Sequence, residues 1–177
     1  MNCVDPEVRR VLAIDPTSPG FGFAVLEGPE SLIDWGGRTA TTHESALRKV
    51  TEMIRQYRVD VLVTEDCTDP RSRRGKRVRH LIEAMDVAAG GMGIRCARVP
   101  VAAVHRLFGG DAPTNKDAIA RVIAEHFGEL APRLPPKRKV WMTEPSRMAI
   151  FDAVAFGLTY YYDAPDVAPR SVSIDPA

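Results

Sequence analysis

Three apolar runs succeed one another at the start of the chain with little between them. Val8 to Ile14, Phe21 to Glu27 and Ser31 to Gly37 read as strands, joined by turns rich in Gly and Pro. A parallel pairing needs a crossover of about a dozen residues or more, so strands linked this tightly can only pair antiparallel. The chain therefore begins as a meander, and the remaining residues must build on that sheet.

Beyond Gly37 the chain alternates helix and strand. From Thr42 to Tyr57 the positions Leu47, Val50, Ile54 and Tyr57 recur at helical spacing, which predicts a crossover helix. Val59 to Glu65 is a continuous apolar strand, suited to the middle of a sheet covered on both faces. A helix over Val78 to Ala89, ending at Gly90-Gly91, leads to a fifth strand over Ile94 to Val99. Thr114 is placed to cap a helix running to Phe127, with Asp117 in its first turn and Gly128 at its end. Ala131 to Lys139 reads as a proline-rich basic loop, Ser146 caps a last helix reaching about Tyr162, and 165–177 form an irregular tail. At 177 residues and 45% hydrophobic content, the expectation is one α/β domain spanning 1–177: a mixed five-stranded sheet with helices on both faces.

Three acids stand where acids are costly. Asp15 closes Val11-Leu12-Ala13-Ile14, Glu65 closes Val61-Leu62-Val63-Thr64, and Asp152 lies inside the apolar stretch Met148 to Leu158. A poorly hydrated carboxylate must be paired or bound to a cation, or else shift its pKa. No Lys or Arg lies within three positions of Glu65 or beside Asp15, so a hard divalent cation is a plausible neutraliser. Each acid also has a plainer account: Asp15 as an Asp-Pro turn, Glu65 as a strand-end acid paired with an arginine of the following loop, and Asp152 as an acid favoured by a helix N-terminus. His43, His80, His105 and His126 lack metal-ligand spacing. Cys3, Cys67 and Cys96 are odd in number and widely spaced, which disfavours a disulfide framework or a structural zinc site. No apolar run approaches the roughly 18 residues that span a bilayer, so a soluble cytoplasmic protein is expected.

The order of elements, with acids on the first strand, the fourth strand and the last helix, resembles the RNase H-like nucleases and, within them, the RuvC-type Holliday-junction resolvases. The resemblance is carried by Ala13-Ile14-Asp15-Pro16 with Gly20-x-Gly22, by Val63-Thr64-Glu65, and by Phe151-Asp152-Ala153-Val154-Ala155. It implies that Asp15, Glu65 and Asp152 bind catalytic Mg²⁺ or Mn²⁺, two ions in all, in an endonuclease that cuts branched DNA during recombination and repair. It also implies a homodimer. RuvC-type enzymes carry a further Asp or His one turn before the last Asp, where this chain has Ala149; Glu144 is the candidate to replace it, and Asp66 is a second that strand alternation turns to the opposite face.

Directly after Glu65, residues Arg71, Arg73, Arg74, Lys76, Arg77 and Arg79 place six cations within nine positions. Such a run is often only a solvated face, but beside an acidic metal centre it can hold a phosphate backbone. Arg138 and Lys139 could extend it, and the resemblance places Lys116 near the scissile phosphate. Tyr160-Tyr161-Tyr162, Trp35 and Trp141 offer stacking surfaces or core. With 24 basic and 23 acidic residues, bulk charge does not decide for or against nucleic acid. Two other functions share these features: a non-catalytic branched-DNA-binding protein, and a YqgF-type nuclease of ribosomal RNA precursors. An actin-like ATPase is excluded by size and by the lack of a P-loop.

Overall fold

The computed structural model describes residues 9–136 and 147–163. Five strands, β1 (Arg10–Thr17), β2 (Gly20–Glu27), β3 (Leu32–Arg38), β4 (Val61–Glu65) and β5 (Arg95–Val99), form one sheet in the order β3-β2-β1-β4-β5. β1 pairs antiparallel with β2, and β2 with β3, as the tight turns require. β4 and β5 are parallel to β1 and to each other. Among the described residues five α-helices flank the sheet: α1 (His43–Tyr57), α2 (Lys76–Gly91), α3 (Val101–Gly109), α4 (Lys116–His126) and α5 (Met148–Asp163).

Alternation along each strand divides the core in two. Leu12, Ile14, Phe21, Phe23, Val25 and Leu62 pack against α1 and α2. Val11, Ala13, Ala24, Leu26, Val61 and Val63 face α5, backed by α4. α5 is apolar around nearly its whole circumference, as befits a helix covered on both sides. It lies very close to the sheet because two glycines permit it. A Cβ on Gly22 would sit 2.3 Å from the Ala149 carbonyl, and one on Gly157 would sit 2.5 Å from Leu26 Cδ1. At the far end of α5 the buried Tyr161 hydroxyl donates to the Arg9 carbonyl at 2.6 Å and accepts from the Gly28 amide at 3.0 Å. Burial pushes that phenol up to about 12.

The structure departs from the sequence expectation in several places. β1 continues past Ile14 through Asp15 and Pro16, because Asp15 pairs with Gly22 and Pro16 with Phe21. α2 begins at Lys76, two residues early, and runs through both glycines. α4 is capped by Asn115, not Thr114: the Asn115 side chain accepts from the Ala118 amide at 3.0 Å. Finally, α3 and a 3-10 helix over Gly128–Arg133 were not anticipated. α3 has no cap of its own; Asp69, 33 residues earlier, accepts from the Ala102 amide at 2.9 Å. No described helix is long and apolar enough to cross a membrane.

Candidate metal and nucleic-acid site

The same alternation that sorts the core selects the site. Asp15 lies two positions beyond Ala13 on β1 and Glu65 two beyond Val63 on β4, and Ala13 and Val63 are register partners on the α5 face. Both carboxylates therefore emerge side by side, at the carboxyl ends of two adjacent parallel strands, 2% and 3% exposed respectively. α5 supplies the third acid. The contact of Gly22 with Ala149 brings the first turns of α5 down next to the Asp15–Gly22 pair, and Asp152 comes three residues after Ala149.

Arg74 joins the first two acids. Its Nε donates to Glu65 Oε2 at 2.5 Å, one Nη donates to Asp15 Oδ1, and the other Nη donates to the Pro16 carbonyl at 3.0 Å. The Arg74 side chain is 20% exposed, whereas the two carboxylates are nearly inaccessible. Lys116, the first residue of α4, places Nζ 2.6 Å from Asp152 Oδ2. Burial raises the Asp15 pKa, Arg74 opposes it, and the Asp152 and Glu65 charges add to it, leaving it pushed up to about 8. Burial works against the Arg74 charge, but Asp15, Glu65 and Asp152 together hold its pKa above the usual arginine value.

Among the described residues, no three His, Cys, Asp or Glu side chains are grouped as a ready ligand cluster. The donor set nevertheless suits a hard divalent ion: two buried carboxylates already share one cation, and a third, on α5, acts on the same charge. Glu144 lies outside the described residues, as do Arg138, Lys139, Trp141 and the residues of the expected tail. Asp66 is spent locally, accepting from the Thr68 amide at 2.9 Å and its hydroxyl at 2.7 Å. Ala149 is buried against Gly22.

The basic run divides by position. Arg71 and Arg73 are exposed on the loop after β4, and Lys76 and Arg77 are exposed on the first turn of α2. Arg79 is half-buried and donates to the Arg74 carbonyl at 2.9 Å, while Arg74 alone turns inward to the acids. Nothing local to the sequence separates Arg74 from its neighbours. Asp69 was also missed; it holds the loop by accepting from the Arg71 amide at 2.9 Å as well as from Ala102. Tyr160 and Tyr161 are core, and Tyr162 is 44% exposed.

No protein-family model and no curated protein matches the chain. Solved structures do. RuvC of Thermus thermophilus superposes with a TM-score of 0.61 at 19% identity, covering 85% of this chain and 92% of that one. T. thermophilus RuvC in complex with a Holliday junction substrate gives 0.60 at 20% identity, covering 86% and 92%. The fowlpox virus resolvase in complex with its substrate Holliday junction DNA gives 0.51 at 11% identity, covering 86% and 95%. The chain thus has the RNase H-like fold that these resolvases share.

Proposed function

We propose that this protein is a metal-dependent endonuclease that hydrolyses phosphodiester bonds in branched DNA, in the manner of a Holliday-junction resolvase. What supports the reading is that Asp15 and Glu65, remote in sequence, share Arg74 at one end of the sheet, with the Asp152 charge acting on Asp15, in a fold shared with resolvases. Asp15, Glu65 and Asp152 would hold Mg²⁺ or Mn²⁺, with Glu144 a further donor. Bound divalent ions supply an activated water and stabilise the departing oxygen. The protein's own part is positional: β1 and β4 are buried central strands, a rigid platform for Asp15 and Glu65, and the tight seating of α5 sets Asp152.

Lys116 sits beside Asp152 at the open edge of the site, 47% exposed, where it can meet a phosphate oxygen. The exposed cations Arg71, Arg73, Lys76 and Arg77 would track the backbone through contacts that confer affinity without reading sequence. A homodimer would match the near two-fold symmetry of a four-way junction.

The test is cleavage of a synthetic four-way junction with Mg²⁺. Wild-type protein should cut it and Asp15→Asn should not; equal activity in the two would sink the reading. Ala149, buried against Gly22 where RuvC-type enzymes carry a further acid or His, favours a second reading: a branched-DNA-binding protein without cleavage. That reading requires salt-sensitive junction binding with no cutting at any Mg²⁺ or Mn²⁺ concentration. Ribosomal RNA precursor processing is separated by offering RNA and junction DNA in competition.

A further inference from the structure

Arg74 belongs to a run of cations that would suit a phosphate backbone, but its guanidinium is spent on the acids. It takes one oxygen from each of Asp15 and Glu65, and its third contact, to the Pro16 carbonyl, ties it to the strand that carries Asp15. These are the oxygens a divalent ion would need. The Arg74 side chain is partly exposed while the two carboxylates it contacts are nearly inaccessible. An arginine cannot vacate a site by losing its proton. It leaves only by moving, and it sits on a loop with no regular structure between β4 and α2.

We propose that Arg74 is an internal counter-cation that occupies the divalent-ion position between Asp15 and Glu65 and must swing out before metal can bind, so that the metal-free protein is self-blocked. This rests on the reading of the acids as a metal site. The arrangement answers two problems at once. Two buried carboxylates left without a cation would repel each other and lose hydration, and the single charge of Arg74, shared between them, offsets part of that cost. The cost is competition: the observed metal affinity is the intrinsic affinity multiplied by the fraction of molecules with Arg74 swung out. Arg79, which holds the Arg74 backbone carbonyl, and Asp69, which holds the loop through Arg71, set the resting position of the latch.

A merely structural arginine and a latch predict opposite signs for one measurement. Mn²⁺ binding to the full chain is measured by titration calorimetry and by loss of the free-ion paramagnetic signal, for wild type, Arg74→Gln and Arg74→Lys, with Arg48→Gln on α1 as a control for charge. The latch predicts that Arg74→Gln binds Mn²⁺ at least about tenfold more tightly than wild type. Arg74→Lys, whose single ammonium cannot bridge two carboxylates as a guanidinium fork does, should fall between them, and Arg48→Gln should match wild type. Melting temperatures add a second readout: in chelator Arg74→Gln should melt below wild type, and Mn²⁺ should raise its melting temperature by more than it raises that of wild type. Unchanged or weaker binding by Arg74→Gln, with wild type still binding, overturns the latch and leaves the metal site standing. Absence of Mn²⁺ binding in every variant overturns the metal site and the latch with it. Should Arg74→Gln fail to fold in chelator, Arg74→Lys decides, and an affinity no tighter than wild type then overturns the proposal.

Discussion

The two faces of the sheet are built from the same strands and do different things. On the side of α1 and α2, alternate residues of β1, β2 and β4 run through Ile14, Phe21 and Leu62, an apolar layer followed at the end of β4 by the buried, uncharged Thr64. On the side of α5, the intervening residues begin equally apolar, with Val11, Ala13, Val61 and Val63, and then finish in Asp15 and Glu65. One residue of offset along a strand separates a packing position from a charged one. The first face stabilises the domain, and the second uses that stability to hold buried acids that would be unfavourable alone.

This contrast sets the expected consequences of substitution. The largest effect falls on the acidic face: Asp15→Asn or Glu65→Gln should lower junction cleavage beyond the roughly 100-fold that loss of an outer-shell metal partner costs, read as initial rates under saturating Mg²⁺. Any residual activity near wild type would remove those residues from the chemistry. On the opposite face, Leu62→Ala deletes a side chain with no exposure and should cost about 2–5 kcal/mol in a denaturant titration. Below its melting range it should still cleave; loss of cleavage in a folded Leu62→Ala protein would mean that the two faces are not separable in this way.

The ends of α5 repeat the contrast on a smaller scale. The end at Asp152 is charged and faces the site, whereas the end at Tyr161 is anchored by neutral hydrogen bonds. Tyr161→Phe leaves the Gly28 amide and the Arg9 carbonyl without that partner, and a loss of about 1–3 kcal/mol is expected in thermal or denaturant unfolding. Junction cleavage measured well below the transition should be little changed. The smallest effect concerns Asp69. Hydrogen bonds from the Ala102 and Arg71 amides hold its carboxyl below the ordinary value of 3.8. A depressed folded-state pKa means that the stabilisation is complete above the unfolded value and is lost as pH falls through the folded one. Protection of the Ala102 amide from exchange, corrected for intrinsic rates, should therefore fall on acidification below the ordinary carboxyl range. In Asp69→Asn that pH step should be absent.

Much of this was readable along the chain. The meander came from turn lengths, β4 from a continuous apolar run, and α1 from its 3.6-residue period. The three acids stood out because each interrupts or closes an apolar element, and the plainer account of Glu65, as partner to an arginine of the following loop, is what the structure contains. α3 was not readable because its cap is Asp69, a residue 33 positions away that reaches the helix only once β5 is in place. Arg74 could not be told from Arg71 or Arg73, since all three share the same local composition and differ only in which carboxylates the fold puts within reach.

Short-range properties were therefore settled by residue order alone: periodicity, turn chemistry, and the side of each strand on which a side chain must stand, all of which depend on neighbours a few positions apart. Folding settled whatever depends on distant segments meeting, namely which end of α5 touches Gly22, which aspartate caps α3, and which of six closely spaced cations pairs with the buried acids. The reason is physical. Periodicity is a property of one backbone, whereas the pairing of a buried charge depends on the distance to a partner that another part of the chain supplies.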